Sequence, residues 1–166
     1  MNCDCLCIGP TGSGKTLLLR NLVCPASVDF TTSSAPTMGT TIKTIKLKEQ
    51  TSVTICELGG NVAPLWPKYF SGINKIMFVV DASNLCQISA AGVLLYSVLA
   101  DPALRNAKIL LVLSKMDASY RQMRNEALLM LQIKRLQIEI PQEITIIQAS
   151  SYSSEGLDEI RKWLEP

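Results

Sequence analysis

The stretch Gly9-Pro-Thr-Gly-Ser-Gly-Lys15-Thr16 decides the fold, because it matches the pattern GxxxxGK[ST] at every fixed position. It follows a strand-like run at residues 6–8 and opens a helical run at residues 16–22. Glycines let backbone N–H groups turn toward phosphate oxygens, and the helix directs its positive end at the same point. Lys15 would neutralise phosphate charge, and the Thr16 hydroxyl can ligate Mg²⁺. The stretch, called the P-loop below, predicts a nucleotide phosphate site. Its contacts would be Pro10, Thr11, Gly12, Ser13, Gly14, Lys15 and Thr16.

The alternation of strand and helix patterns predicts an α/β fold. Short β-branched or aliphatic runs lie at residues 6–8, 40–47, 52–55, 76–80, 109–113 and 144–147. Most of them are separated by segments with helical spacing, as in a sheet whose parallel strands are joined by helices. The runs at 76–80 and 109–113 are apolar throughout, which is typical of central strands covered on both faces.

One pair of predicted strands lies too close together for a helical connection. Only Glu49 and Gln50 separate the run 40–48 from the run 51–55, so these two form a hairpin. The sequence therefore predicts a three-layer fold, with a six-stranded, mostly parallel sheet, one antiparallel edge strand and helices on both faces. Residues 25–36 and 58–72 contain turn-forming residues and are predicted to be irregular.

Length and composition indicate one domain spanning residues 1–166. The chain is 48% hydrophobic and 18% charged, and its formal net charge of +2 gives no reason to expect nucleic acid as a partner. Histidine is absent, which excludes Ser-His-Asp and Cys-His catalysis and histidine zinc sites within this chain. No apolar run approaches the roughly 18 residues of a transmembrane helix. We therefore predict a soluble, cytoplasmic protein.

The six cysteines lack CxxC spacing, so we interpret them as buried cytosolic thiols rather than metal ligands. Cys3, Cys5 and Cys7 occupy alternate positions, and in one extended strand their thiols would share a face. That arrangement would not allow them to form disulfides with one another.

Ser114-Lys115-Met116-Asp117 follows the apolar run 109–113 and resembles the [NT]KxD guanine element of GTPases. A buried Asp117 carboxylate would accept hydrogen bonds from the ring N–H and the exocyclic amine of guanine, a donor pair that adenine lacks. The segment therefore predicts a guanine site with Ser114, Lys115 and Asp117 as contacts. The P-loop by itself is also compatible with an ATP-dependent kinase or ATPase, which stays open as an alternative.

Two further segments predict a magnesium ion and a terminal phosphate. Glu57-Leu-Gly59-Gly60 stands in the place of a DxxG element, whose acid holds Mg²⁺ and whose glycine N–H senses the γ-phosphate. Thr37 could give its hydroxyl to Mg²⁺ and its N–H to the same phosphate. Each feature alone is also typical of an ordinary turn, and their order and spacing carry the prediction. The predicted metal ligands are Thr16, Thr37 and Glu57.

Over nearly its whole length, the chain is similar to small GTPases of the ADP-ribosylation-factor-like family. The matching stretches are Ala35-Pro-Thr-Met-Gly39, Glu57-Leu-Gly-Gly-Asn61, Pro64-Leu-Trp-Pro-Lys-Tyr-Phe70 and Phe78-Val-Val-Asp81. They resemble that family's PTxG, DxGGQ, PLWxxYF and FVVD motifs. The resemblance implies a switch that binds GTP or GDP with Mg²⁺. In such a switch the γ-phosphate orders residues 25–39, called the first switch segment, and residues 58–72, called the second switch segment.

The resemblance also implies residue roles and partners. Backbone N–H groups of Ser150 and Ser151 would reach the base. Effector proteins would recognise the GTP-bound switch segments, an exchange factor and an activating protein would act in trans, and the role would lie in membrane or cilium-related traffic. Trp66, Tyr69 and Phe70 are candidate effector contacts, with packing onto the core as the alternative.

Three departures from the family pattern bear on mechanism. Beside Gly60, Asn61 stands at the catalytic glutamine position and is one methylene shorter. Because a misplacement of about 1 Å can cost roughly 100-fold in rate, unaided GTP hydrolysis is expected to be very slow. Glu57 replaces aspartate and lengthens the acid at the metal, and Ser114 replaces an asparagine or threonine, which removes an amide that braces the guanine element. A GTP-binding interaction module with essentially no turnover is the second hypothesis.

The N-terminal segment predicts no direct lipid anchor. Family members often carry a myristoylated second-position glycine on an amphipathic helix, whereas Asn2 stands here and eight residues precede Gly9. Cys3 could be acylated, but its place in the first predicted strand favours burial. We expect any recruitment to membranes or to the cilium to depend on partner proteins.

Overall fold

The computed structural model describes residues 3–166, which form a six-stranded sheet. Its strands are β1 (Cys5–Ile8), β2 (Thr40–Lys48), β3 (Thr51–Leu58), β4 (Lys75–Asp81), β5 (Lys108–Ser114) and β6 (Ile144–Gln148). They lie in the order β2-β3-β1-β4-β5-β6. The edge strand β2 pairs antiparallel with β3, and the other pairs are parallel. The prediction of six strands with one antiparallel edge strand is confirmed.

Helices cover both faces of the sheet. They are α1 (Lys15–Val23), α2 (Leu85–Ala100), α3 (Arg121–Met130), α4 (Ile133–Glu139) and α5 (Leu157–Leu164). Leu19 of α1 and Ile160 of α5 lie in one buried apolar cluster, whereas Leu95 of α2 and Ile133 of α4 lie in another. The three-layer α/β prediction is therefore confirmed. Among residues 3–166, no helix has the length and apolar character needed to cross a membrane.

The direction of the parallel strands brings the predicted site residues to one edge of the sheet. The carboxyl ends of parallel strands share an edge, and ligands of open α/β sheets bind there. The groups that come to this edge are the P-loop after β1, Glu57 near the end of β3, Asp81 at the end of β4, Ser114 at the end of β5 and Ser150 after β6.

Strand β3 is longer than the sequence predicts, and this extension positions Glu57. The predicted hairpin with β2 is present, but β3 continues past Ile55 to Leu58. In the extension Glu57 pairs with Thr41 of β2 on one side and with Cys7 of β1 on the other. Glu57 is fully buried as a result.

The second switch segment is more regular than predicted. A 3-10 helix spans Gly60–Tyr69 and contains Pro64 and Pro67, with a kink at Val62. Prolines favour loops in a sequence pattern, but one turn of helix tolerates them where no backbone N–H is required. The prediction of an irregular stretch is therefore wrong for Gly60–Tyr69, whereas residues 25–36 form turns without a helix or strand, as predicted.

The prediction that three N-terminal thiols share a face is wrong for Cys3. Cys5 and Cys7 are buried in the cluster beneath α1 and α5, whereas Cys3 precedes β1 and packs, half-buried, on the opposite cluster. The alternation cannot reach Cys3 because β1 begins at Cys5. The interpretation of all six cysteines as buried is also wrong, since Cys24 and Cys86 are exposed. Asn2, which bears on the lipid-anchor prediction, lies outside the described residues.

Candidate nucleotide-binding site

The P-loop has the backbone geometry that its glycines predict. Gly12 and Gly14 have φ values of 77° and 94°, in the left-handed region that side chains disfavour. Gly9 also has a positive φ, 147°, and a Cβ there would lie 2.2 Å from the Val79 carbonyl oxygen of β4. Helix α1 begins directly after this turn, at Lys15. Its first N–H groups and its positive end are thus directed at the loop.

Lys15 is the cation of this loop. Its side chain is 5% exposed, and Nζ donates hydrogen bonds to the carbonyl oxygens of Gly9 at 2.9 Å and Pro10 at 2.8 Å. Burial lowers the pKa of Lys15 below its ordinary value of 10.5. An anion beside this ammonium group would compensate its desolvation, so the position suits a phosphate oxygen.

Three oxygen-bearing side chains from three elements meet beside the P-loop. The Thr16 hydroxyl lies 2.5 Å, and the Thr37 hydroxyl 3.0 Å, from Oε1 of Glu57. The two hydroxyl oxygens lie 3.0 Å apart. Oε2 of Glu57 is buried and has no hydrogen-bond partner among residues 3–166. A carboxylate and two hydroxyls are the oxygen donors that Mg²⁺ prefers, and the unpartnered oxygen leaves capacity for it. The residues therefore fit a magnesium ion.

A cavity of about 100 Å³ opens over these groups. Its wall is formed by Thr11, Gly12, Gly14, Lys15, Thr16, Ser34, Ala35, Pro36, Thr37, Glu57 and Gly60. The P-loop, both switch segments and the end of β3 all contribute to it. The structure thus brings the predicted phosphate and metal residues to one small, polar space.

Gly60 touches the P-loop so closely that a side chain cannot fit. A Cβ at Gly60 would lie 2.2 Å from the backbone nitrogen of Thr11 and 2.6 Å from the carbonyl carbon of Pro10. The preceding Gly59 donates its N–H to the Gly39 carbonyl oxygen at 2.8 Å, which joins the two switch segments. A displacement of the P-loop backbone would therefore also displace Gly60 and, through the bond between Gly59 and Gly39, both switch segments.

Asn61 lies beside this cavity, at the exposed surface. Its Nδ2 lies 3.1 Å from the sulfur of Met38 in the first switch segment. Of the two predicted catalytic positions, Gly60 lines the cavity, whereas the amide of Asn61 contacts Met38.

The predicted guanine residues come together at the carboxyl ends of β5 and β6. Lys115 has a φ of 58°, and its Nζ lies 2.7 Å from Oδ2 of Asp81. The Ser150 hydroxyl donates to Oδ1 of Asp117 at 2.6 Å. Asp117 is exposed rather than buried, which differs from the sequence expectation. Its carboxylate is held in place by the fully buried Ser150.

Ser114 braces the guanine element against the P-loop. Its hydroxyl lies 2.5 Å from the carbonyl oxygen of Ser13 and 3.0 Å from that of Val80. One hydroxyl proton serves these two acceptors alternately. The sequence predicted that replacing an amide at this position would remove the brace. The structure corrects this expectation, because the serine is close enough to make the contact itself.

Two site residues were missed by sequence reasoning. Asp81 pairs with Lys115 and also accepts hydrogen bonds from the backbone and hydroxyl of Ser83. Asn21 of α1 is fully buried, and its Nδ2 donates to the carbonyl oxygen of Ser151 at 2.6 Å. An acid at the end of an apolar strand could have indicated the first. The second depends on a contact between distant segments, for which the sequence carries no local signal.

Two of the three candidate effector aromatics belong to the core. Trp66 and Phe70 are each 2% exposed, and the Trp66 indole N–H donates to the Gly59 carbonyl oxygen at 3.1 Å. Packing on the α2 face of the sheet removes both from the surface of this structure, as the core-packing alternative describes. Tyr69 is half-buried, and its hydroxyl accepts a hydrogen bond from Thr40.

The fold and the site define a P-loop nucleotide-binding switch. The sequence model of the ADP-ribosylation factor family matches residues 1–166, so the chain belongs to that family. ADP-ribosylation factor-like protein 16 of Homo sapiens is 32% identical over 167 residues, which cover 97% of this chain and 84% of that protein. The human ADP-ribosylation factor-like protein 15 is 37% identical over 117 residues, covering 69% of this chain and 55% of that protein.

The fold of this chain is similar to that of a solved structure. It is the Arl6 small GTPase from Trypanosoma brucei with the bound nucleotide analogue GppNp. Its TM-score to this chain is 0.82 at 22% sequence identity, with 99% of this chain and 95% of that chain covered. At 22% identity, this similarity shows that the two chains share a fold. The family membership confirms the resemblance that the sequence motifs carry.

Proposed function

We propose that this protein is a guanine-nucleotide switch that binds GTP and GDP with Mg²⁺ and offers effectors a different surface in each state. The observation that carries the proposal is the meeting of Thr16, Thr37 and Glu57. It joins the P-loop, the first switch segment and β3 at one cluster of oxygens. When bound, Mg²⁺ would neutralise phosphate charge at this cluster.

Each group of residues then has a task in binding. Lys15 and the N–H groups of the P-loop hold phosphate charge, and Asp117, positioned by Ser150, accepts hydrogen bonds from guanine. Ser151 and Ser150 belong to the same predicted base contact. Ser114 links the base and phosphate parts of the site through the Ser13 carbonyl.

The switching step depends on the contacts between the two segments. The Gly59 N–H bonds to the Gly39 carbonyl, and Gly60 lies against the P-loop backbone. A phosphate that moves Thr37 or Gly60 therefore moves both segments. Exposed apolar side chains on and between the segments offer a surface for effectors. They are Met38, Ile42 and Leu65.

We propose further that unaided hydrolysis is very slow. Asn61 is directed at Met38, and a water attacking the γ-phosphate would lack the amide that orients it. An activating protein would complete the site with an arginine in trans. The second hypothesis, a GTP-binding interaction module without turnover, differs from this only in the chemical step. Single-turnover hydrolysis, with and without cell extract as a source of activating protein, separates the two.

Family membership also supports a place in membrane or cilium-related traffic, with recruitment through partner proteins. Flotation of the purified protein with protein-free liposomes tests the second part. No GTP-dependent binding is the expected result, and robust GTP-dependent flotation would show that the chain itself carries a membrane contact.

The first experiment on the proposal is nucleotide selectivity. Fluorescent GDP, GTP and ATP analogues are titrated with Mg²⁺ against the purified chain and against Asp117→Asn, with xanthine nucleotide as a further ligand. Guanine preference that changes toward xanthine in the variant is expected, because an amide presents a donor that xanthine accepts. Equal binding of guanine and adenine nucleotides would contradict the proposal and favour the kinase or ATPase alternative.

A further inference from the structure

A stacked pair of aromatic rings joins the first switch segment to the loop after β6, which also contains Ser150 and Ser151. The ring centroids of Phe30 and Tyr152 lie 5.1 Å apart, with an angle of 28° between the ring planes. The Tyr152 hydroxyl also donates to the carbonyl oxygen of Thr32 at 3.1 Å, across 120 positions of sequence. Two independent contacts therefore connect these segments, one apolar and one polar.

The residues on both sides of Phe30 hold it in a fixed turn. Val28 is buried, which anchors the segment. The Asp29 carboxylate then accepts hydrogen bonds from the backbone and hydroxyl of Thr31 and from the hydroxyl of Thr32. This closes a tight turn around Phe30. The Phe30 side chain is 77% exposed, so the turn and the stack hold the ring rather than burial.

Tyr152 lies in the loop after β6, whose neighbouring residues are held by several hydrogen bonds. It follows Ser150, whose hydroxyl bonds to Asp117, and Ser151, whose carbonyl oxygen accepts from Asn21. The hydroxyl of Ser150 also accepts the N–H of Ser153. Tyr152 is thus fixed to the loop that the proposed function assigns to guanine.

We propose that Phe30 and Tyr152 form a clasp that closes the guanine side of the site and sets the rate at which the nucleotide leaves. The inference rests on the proposed function. Through Phe30 and Thr32, the clasp holds the middle of the first switch segment, ahead of Thr37 at the proposed metal site. Release then requires the ring stack and the Tyr152 bond to break first. Both residues are positioning residues, since they act by holding a loop.

The test measures release of a fluorescent GDP analogue from the full-length chain in Mg²⁺ buffer, after addition of excess unlabelled GDP. Phe30→Ala and Tyr152→Ala are each expected to release it about 3- to 10-fold faster, the effect of losing one aromatic pair. Tyr152→Phe, which keeps the ring and removes the hydroxyl, is expected to show a smaller acceleration. Since the rings act on each other, the double alanine variant is expected to release no faster than the faster single variant.

A matched control and one further readout make the result specific. Tyr120→Ala removes an aromatic side chain that is also 77% exposed and follows the guanine element, and it is expected to leave release unchanged. Thermal unfolding is expected to be unchanged in Phe30→Ala, which separates a clasp from a general loss of structure.

The outcomes distinguish this inference from the proposed function. If the wild-type chain retains guanine nucleotide and the variants release it at the wild-type rate, or if the two alanine effects multiply, the clasp is overturned and the proposed function stands. If the wild-type chain retains no guanine nucleotide, both are overturned.

Discussion

The Thr37 hydroxyl in the first switch segment lies 3.0 Å from Oε1 of Glu57 at the end of β3. Thr16 of the P-loop shares the same carboxylate oxygen at 2.5 Å. An aspartate, one methylene shorter, would stop about 1.5 Å farther from both hydroxyls. Because the Glu57 side chain is longer, its carboxylate contacts both the P-loop and the first switch segment directly.

This link predicts a strong effect of Glu57→Gln on magnesium. The amide keeps the size of the side chain but loses the charge that a divalent cation requires. We expect the Mg²⁺ concentration that slows nucleotide release to rise about 10- to 100-fold, the range found when groups that support a metal are removed. Release rates across a Mg²⁺ titration give this value. Glu49→Gln, in the exposed hairpin turn, serves as control, and equal Mg²⁺ dependence in both variants would contradict the assignment.

Gly60→Ala is expected to destabilise the protein and to abolish discrimination between GTP and GDP. The added Cβ would lie 2.2 Å from the Thr11 nitrogen, so backbone atoms must move. Overpacking of this kind costs about 1–3 kcal/mol, measurable by urea unfolding. Gly92→Ala is the matched control. A Cβ there would meet a flexible side-chain carbon of Leu131 at 3.5 Å, and in helix α2 the alanine should stabilise by up to about 1 kcal/mol. Equal effects of the two changes would refute the close approach at Gly60.

The fold could be predicted because its determinants are local. The P-loop has fixed spacing, and β4 and β5 are short apolar runs that are typical of a strand covered on both faces. The same holds for the hairpin, since two residues between strands leave no other connection. Local patterns also indicated the segments that are predicted to bind phosphate, metal and guanine, and the sheet direction brings those segments to one edge.

The remaining features depend on contacts between distant residues. The 3-10 helix at Gly60–Tyr69 is held by burial of Trp66 and Phe70, which a sequence rich in proline does not indicate. The contact of Ser114 with Ser13 and the stack of Phe30 on Tyr152 each join segments that sequence periodicity treats separately. The sheet places these loops side by side, so the partner of each residue depends on the whole fold and not on its local sequence.

Ser150→Ala is expected to weaken guanine-nucleotide binding. The hydroxyl donates to the Asp117 carboxylate at 2.6 Å, and a hydrogen bond to a charged group contributes about 1.5 kcal/mol, or roughly 10-fold in affinity. Titration of a fluorescent GDP analogue measures the change. Ser97→Ala, on the exposed side of α2, should bind like the wild type. Undiminished affinity in Ser150→Ala would show that Asp117 needs no support from this serine.

The buried thiol of Cys5 predicts a loss of stability at alkaline pH. Burial raises its pKa from the ordinary 9.0 to about 12. The folded chain therefore keeps a proton that the unfolded chain loses, so this contribution is complete below pH 9 and declines as the pH rises toward 12. The decline is about 1.4 kcal/mol per pH unit. Cys5→Val should reduce the slope of unfolding free energy between pH 9 and 11 by that amount, whereas exposed Cys24→Ser should keep it.

Asn61→Gln is expected to accelerate GTP hydrolysis. The asparagine amide lies 3.1 Å from the Met38 sulfur, and a further methylene would let an amide extend past it to the cavity wall at Gly60. Since about 1 Å of misplacement can cost roughly 100-fold, a gain of about 10- to 100-fold in the single-turnover rate is expected, with nucleotide affinity unchanged. Asn106→Gln, on the exposed surface, controls for the substitution itself. If Asn61→Gln hydrolyses GTP no faster than the wild type, the length of this side chain does not limit the rate, and that result would favour a group supplied by a partner protein.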